Sequence, residues 1–408
     1  MTILPSDLLE FDLNTSSFPG QKDPLSVLSV SAGLSRNGGG TSYAIPALHD
    51  ALAEVGVQTT LVTPLGREGG PPSEGFKFEL KGFPQAGLGP WELPWAPALR
   101  ENLKALCLDK GFDLVHNHGA WLPANHDASR FAAERDLPLV LSSHGMLSKW
   151  CLNHNNLRKK LAWGLFQRKD LLTARAAHAS SAREAKELRE LGYNGPIALI
   201  PNGVEIPEWR EPARPQGQPR TALFLSRVHP QKGLPSLVEA WDRVRPRNWR
   251  MVVAGPDDGG HRAKLEELVE QKKLSDLFTF LGPVHGQAKW DLYRSADLFI
   301  LPTVYESFGL VVAEALASGV PVITTHGAPW ADLNIKNCGW WIPNGVEALT
   351  HTLGDATQAS DNTRRAMGRR GRDLVIQKFS WRNTALDMKA LYQWVTDEAE
   401  CPPFVRMD

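Results

Sequence analysis

The sequence predicts an α/β protein of two Rossmann-like parallel-sheet domains facing each other across a cleft. Three observations carry that expectation. Short apolar runs bounded by turn residues alternate with longer segments of helical period. One proline-rich polar stretch interrupts the alternation near the middle of the chain. The length, 408 residues, exceeds what one ordinary core needs and suffices for two.

After an irregular arm, Leu25 to Ala32, Val57 to Thr63, Leu114 to Asn117 and Pro138 to Ser143 read as strands, with helices between them such as Thr41 to Val55. The rhythm stops at Glu205 to Arg220, EIPEWREPARPQGQPR, where four prolines in sixteen residues break any regular element. It resumes with strand-like Ala222 to Ser226, Met251 to Ala254, Phe278 to Leu281, Leu298 to Leu301 and Val320 to Thr324. Such alternation gives parallel sheets covered on both faces. The expected units are a first domain over 1–205, a linker over 206–220, a second domain over 221–380 and a terminal helical segment over 381–408. Open parallel sheets bind ligands beyond the carboxyl ends of their strands, so the cleft is where a site is expected.

Composition narrows the function classes. With 45 basic and 45 acidic residues the net charge is zero, so no whole-molecule field steers a polyanion and no nucleic-acid partner is expected. The four cysteines, Cys107, Cys151, Cys338 and Cys401, form no Cys-x-x-Cys pair, which points to a reducing cytoplasm rather than a disulfide framework. The N-terminus lacks a basic start followed by an apolar run, and no window approaches the ~18 apolar residues of a membrane span.

The most informative segment is LPTVYESFGLVVAEALASG, 301–319, where a strand ends, Glu306 follows in the turn and a helix is expected from near Phe308. Were that stretch near-helical, Glu306 and Glu314 would sit about 12 Å apart, the span of two ends of one elongated ligand. The free amides of Phe308, Gly309 and Leu310 at the positive end of the helix would suit a phosphate. As an isolated pair, Glu306 also reads as a helix-start carboxylate and Glu314 as a solvated or salt-bridged one. In LFLSRVHPQKGL, 223–234, Arg227 leaves a strand and Lys232 precedes a helix, so the two cations could clamp a diphosphate or simply decorate the surface. SRNGGGTSY, 35–43, is a glycine turn before a helix that Thr41 or Ser42 could cap. It lacks the third glycine of a dinucleotide fingerprint, and a plain tight turn remains open.

Taken in order, these pieces resemble a family 4 glycosyltransferase, group 1, of the retaining class and the GT-B fold. The match adds DLVHNHG at 113–119, SSHGMLSKW at 142–150 and IPNGVE at 200–205, and covers nearly the whole chain. The resemblance implies that Arg227 and Lys232 bind the diphosphate of a nucleotide-sugar donor. It implies that Glu306, Ser307 and the amides of Phe308, Gly309 and Leu310 hold the sugar, and that Glu314 takes the ribose hydroxyls. Gly39, Gly40 and Asn202 would line the donor, His144 would touch its sugar, and the backbone at Val284 would hold the base. The last helix, Trp381 to Val395, would fold back onto the first domain. One departure is THGAPWADL at 325–333, where many relatives carry Gly-Gly and a glutamate. That form resembles enzymes building bacterial surface polysaccharides and lipopolysaccharide, which implies a saccharide or lipid-linked acceptor.

The chemistry expected is transfer by front-face attack, the protein supplying charge and position. The chain has no Asp-x-Asp motif, so no metal and no cofactor beyond the nucleotide-sugar co-substrate, a UDP-sugar by analogy, is expected. His116 and His118 point the same way from a strand end and could begin a zinc site, but no third ligand has suitable spacing, and acceptor contacts are preferred for both, with a plain structural role left open. Trp121 lies on the same acceptor side. Lys149 to Arg175 carries seven basic residues and one acidic, with Trp163, Leu165 and Phe166 among them. It reads either as a basic amphipathic helix attracted to the anionic inner face of a membrane or as a solvated helix face. An epimerase or phosphorylase on the same fold, or a non-catalytic glycan-binding protein, stays open on the residues alone.

Overall fold

Nine strands precede the linker and six follow it, with one more at the chain's end, among the residues that the computed structural model describes: 24–34, 39–65, 75–84, 86–88, 93–95, 99–109, 111–153, 156–209 and 217–408. They are β1 (Ser26–Ser31), β2 (Gln58–Leu65), β3 (Glu79–Pro84), β4 (Ala86–Leu88), β5 (Leu93–Trp95), β6 (Leu114–His118), β7 (Leu139–Ser142), β8 (Ala176–Ala179) and β9 (Ile197–Leu199). The second set is β10 (Arg220–Leu225), β11 (Trp249–Ala254), β12 (Phe278–Phe280), β13 (Leu298–Leu301), β14 (Val322–Thr325) and β15 (Gly339–Ile342), and β16 is Val405–Arg406.

The first sheet has the order β16-β9-β8-β7-β6-β1-β2-β3 and the second β12-β11-β10-β13-β14-β15, while β4 and β5 form a small ribbon. Apart from β16 on β9 and that ribbon, every pairing is parallel. In each sheet the winding reverses once, between β1 and β6 in the first and between β10 and β13 in the second. At such a reversal the flanking loops diverge and leave a crevice at the carboxyl ends of the strands. Gly39 and Gly40 follow β1, Trp121 follows β6, Arg227 and Lys232 follow β10, and Glu306 follows β13. A separate cavity of about 460 Å³, lined by Ser26, Gln58, Thr59 and Glu79 among others, lies at the opposite ends of β1, β2 and β3, away from that crevice.

The strands form where expected because they are buried on both faces: Val27, Leu28 and Val30 of β1 and Ala222, Leu223 and Phe224 of β10 are fully enclosed. Three details differ from the sequence expectation. β10 starts at Arg220, so the linker of 206–220 ends one residue sooner; residues 210–216 of it lie outside those described, as does Gly38. The helix expected near Phe308 begins at Leu310. The basic segment 149–175 is no single amphipathic helix but short pieces, Lys149–Asn153, Asn156–Ala162 and Arg168–Leu172, with a wide π-type turn at Trp163–Gln167. The turn lets the Gln167 amide reach inward and accept the backbone N–H of Trp121 at 2.7 Å.

Near its end the chain crosses back. The helix Asp361–Lys378 packs on the second domain, Phe379 is buried there against Phe308 and Trp330, and Ser380 then caps a new helix, Trp381–Val395, by accepting from Asn383 N–H. That helix lies against Thr41–Glu54 of the first domain and buries Met388, Leu391, Tyr392 and Val395. At ~1.5–3 kcal/mol per enclosed side chain the four contribute roughly 6–12 kcal/mol before entropy, so the helix belongs to the first domain's core.

Candidate active site

On the second-domain side, Pro230 opens a single turn, Pro230–Lys232, that Gly233 ends in the left-handed region. The turn delivers the Lys232 ammonium, itself buried, onto the Glu306 carboxylate with a hydrogen-bonded ion pair. Arg227, one turn earlier, donates to Asp258 on the loop after β11. Both of those groups are over a third exposed, so their pairing adds little to stability and leaves the guanidinium available. Each expected donor cation is thus paired with a carboxylate.

Glu306 is not on a helix. Its N–H donates to Gly327 O at 2.8 Å, tying the loop after β13 to the loop after β14. Gly309 stands at φ 85° as the residue before the helix Leu310–Ala317, a conformation that costs a side-chain-bearing residue about 1 kcal/mol or more. Phe308 turns inward beside Trp330, whose indole N–H donates to Phe308 O at 2.7 Å. Four residues into the helix, Glu314 accepts from Lys289 at 2.8 Å and from the Tyr293 hydroxyl at 2.9 Å. Burial first, then the Glu314 charge, pushes the Tyr293 phenol well up, so it stays a donor. Val284, partly buried, precedes the helix Gly286–Arg294 that carries Lys289 and Tyr293.

On the first-domain side, the turn after β7 carries His144 at φ 50° and Gly145 at φ 76°. Glu184 straddles that turn. Its Oε1 accepts from the Ser143 hydroxyl at 2.6 Å and Gly145 N–H at 2.7 Å, its Oε2 from Ser180 N–H and hydroxyl. Burial alone would push this carboxyl up, but those donors hold it below the usual range, and the clamp offsets the strain at His144. Burial lowers His144 itself to about 4, against the pull of Glu184. Trp121, at φ 77°, is partly exposed and packs beside Trp163, with its indole N–H donated to Met146 O.

The acceptor contacts expected of His116 and His118 are corrected by burial: both are 2% exposed or less. β6 is an inner strand, and Tyr392 of the returning helix covers His116 with its hydroxyl on Nδ1 at 2.6 Å. His118 Nδ1 faces His144 Nε2 at 3.0 Å instead. Asn202 lies in the stretch after β9 beside Gly203, whose backbone runs against Trp381. Among the described residues no group of three His, Cys, Asp or Glu side chains could hold a metal ion.

The two halves meet directly. A Cβ on Gly39 would lie 4.0 Å from Arg227 Nε, one on Gly40 3.3 Å from Leu310, and one on Gly145 2.9 Å from the Ser307 Cβ. Tyr43 OH and His285 Nδ1 are 3.0 Å apart, Tyr305 donates to Glu187 at 2.8 Å, and Arg183 donates to Gly327 O at 2.7 Å. Glycines therefore stand where first-domain backbone approaches the expected donor residues. Sequence reasoning missed Lys289, Tyr293, Asp258, Glu184 and Arg183. The one local signal was the i, i+4 spacing of Lys289 and Tyr293, which places both on one helical face.

Comparison with known proteins gives the chain's family and fold. The family model described as Glycosyl transferases group 1 matches residues 205–374, and that of Glycosyltransferase Family 4 matches residues 38–207. A D-inositol 3-phosphate glycosyltransferase from Xylanimonas cellulosilytica is 29% identical over 307 residues, covering 70% of this chain and 72% of that protein. Among solved structures, sucrose-phosphate synthase from Thermosynechococcus elongatus superposes with a TM-score of 0.76 at 21% identity, covering 92% of this chain and 100% of that one. Anabaena HepE in complex with UDP and glucose gives 0.69 at 16% identity, covering 91% and 100%. At these identities the structural likeness is one of fold.

Proposed function

Because the chain belongs to the group 1 glycosyltransferases of family 4 and has their two-domain GT-B fold, we propose that it transfers a sugar from a UDP-sugar to a saccharide or lipid-linked acceptor, with retention and without a metal ion. The observation that carries this reading is the gathering of Arg227, Lys232, Glu306 and Glu314 at the reversal of the second sheet, opposite Gly39, Gly40 and His144. Arg227 and Lys232 lie where they can neutralise a leaving diphosphate, work that a bridging metal would otherwise do. Glu306 and the amides from Phe308 to Leu310 suit the sugar hydroxyls, and Glu314, held by Lys289 and Tyr293, suits a ribose diol. In the reaction the bond from the anomeric carbon to the phosphate oxygen breaks with its electron pair going to the phosphate. The acceptor hydroxyl bonds to the same face of the sugar, and its proton passes to that phosphate oxygen. UDP is favoured by the fold neighbour solved with UDP and glucose.

The test is turnover against UDP-, GDP- and ADP-sugars in excess chelator, with the anomeric configuration of the product read by NMR. The expected result is acceptor-dependent UDP release and an α-linked product from an α-linked donor. An inverted product, or activity lost to chelator and restored by manganese, would overturn the reading. Conversion of the donor without acceptor would favour the epimerase.

For the acceptor we propose a growing surface polysaccharide or lipopolysaccharide, met at the cytoplasmic face of the membrane. The loop 325–333 supports this, as does an apolar and basic stripe in which Leu161 and Leu165 are 64% and 71% exposed beside exposed Lys160, Arg168 and Lys169. No described helix is long and apolar enough to cross a membrane, so contact would be peripheral. The protein is expected to co-sediment with anionic but not neutral vesicles, and Leu161→Asp with Leu165→Asp to abolish it. Equal binding to both vesicle types, or none, would remove the membrane from the proposal. A relative named for inositol 3-phosphate makes a small phosphorylated alcohol the other acceptor class to assay.

A further inference from the structure

Five histidines, His49, His116, His118, His144 and His178, lie side by side in the first domain, and the hydrogen bonds around them have a readable direction. His178 Nε2 is 2.8 Å from Ile200 O, which can only accept, so that nitrogen carries the hydrogen. His178 Nδ1 must then accept from the Ser142 hydroxyl at 2.7 Å. With its proton spent, Ser142 Oγ accepts from His116 Nε2 at 2.7 Å, and His116 Nδ1 accepts from the Tyr392 hydroxyl. On the other flank the Ser29 hydroxyl and His49 Nε2 are 2.9 Å apart, and His49 Nδ1 is buried without a hydrogen-bond partner.

His118 is the remaining case. Its Nδ1 is 3.0 Å from His144 Nε2, while its Nε2 is buried and has no partner. Were Nε2 the protonated atom, an N–H would be buried unpaired, the rarer and costlier orphan. A bare ring nitrogen is the milder one. Burial keeps both rings neutral, with nearby histidines adding to the effect at His118. His118 therefore donates from Nδ1, and His144 receives at Nε2.

We infer that His118 is a positioning residue that fixes His144 as its Nδ1–H tautomer, so that His144 offers the cleft a hydrogen-bond donor and no lone pair. His144 Nδ1 has no partner among the described residues, and the turn that carries it abuts Ser307 and Tyr305. On that geometry the ring donates to an oxygen of the sugar or its leaving phosphate. It cannot take the acceptor's proton, which leaves that task to the phosphate oxygen. The inference rests on the reading of His144 as facing the donor sugar, but its tautomer is a property of the free protein and can be measured without a substrate.

The experiment is a two-bond proton–nitrogen correlation spectrum of the full chain labelled with ¹⁵N-histidine, with His144 assigned through His144→Gln. The expected pattern has the hydrogen on Nδ1. In His118→Phe it should move toward Nε2, and kcat should fall about tenfold while the KM for the donor stays within about twofold. His118→Asn, whose amide nitrogen can replace the Nδ1 donor, should restore both pattern and rate. Hydrogen on Nε2 in the unaltered protein, or an unchanged His144 pattern in a folded His118→Phe, overturns the inference. An Nδ1–H pattern in a protein that turns over no nucleotide sugar would overturn the donor reading alone.

Discussion

Lys232→Met is expected to lower kcat/KM about 10²- to 10³-fold, the usual cost of removing one preorganised stabiliser of developing charge. Its ammonium does two tasks. In the free protein it neutralises Glu306, and both groups are enclosed, at 8% and 15% side-chain exposure. With the donor bound it would face the leaving phosphate. The substitution therefore also leaves Glu306 an uncompensated, largely buried carboxylate, which typically costs about 3–5 kcal/mol, and Glu306→Gln strands the ammonium in the same way. The double variant Lys232→Met/Glu306→Gln separates the two effects. It leaves no buried charge, so its urea midpoint should return most of the way to that of the unaltered protein. Its kcat/KM should stay as low as that of the single variants, because residues acting as one unit are not additive. A double variant as unstable as the two losses summed would show that the pair is not coupled in the folded protein. Near-normal turnover in Lys232→Met would remove the lysine from the chemistry.

Much of the fold and part of the site were legible in the sequence, for physical reasons that mark where reading stopped. Parallel strands enclosed on both faces are continuous apolar runs, so β1, β10 and β13 could be read directly, whereas β8, Ala-Ala-His-Ala, is too short and weakly apolar to announce itself. Arg227, Lys232 and Glu306 could be found because each closely follows a strand at a sheet reversal. Their companions could not, since Lys289 meets Glu314 across 25 residues and Arg183 meets Gly327 across 144, and no local pattern encodes such contacts. Between acceptor contacts and a structural role for His116 and His118 the sequence could not decide, because the partners that enclose them, Tyr392 across 276 residues and His144 across 26, are set by no local pattern. The basic segment was read as one helix because residue type shows charge and period but not the π-type turn at Trp163–Gln167.

The five histidines that order the first domain should also make it acid-labile far above the carboxylate range. Burial lowers His49 to about 3 and His144 to about 4, and it lowers His116, His118 and His178 as well. In the unfolded chain each titrates near 6.5. Between that value and the folded ones the unfolded state binds protons that the folded state refuses, so stability is intact above about pH 6.5 and falls as the pH drops. For one such imidazole the loss at pH 5 is about 2 kcal/mol. Two of the five would remove ~4 kcal/mol from a total that is typically 5–15 kcal/mol. Glu184, whose folded carboxyl is held low, adds a loss of the same sign only at lower pH, and the raised Asp170 and Glu187 act in the opposite sense there. Urea unfolding of the first domain should thus show a midpoint that drops steeply from pH 7.5 to 5, with uptake of two or more protons on unfolding at pH 5. Substituting His49, which has no expected contact with substrate, by phenylalanine should flatten the slope by about one proton. A midpoint that stays level over that range would mean that the cluster is already protonated in the folded protein, and with it the direction of the neutral His118–His144 hydrogen bond would fall.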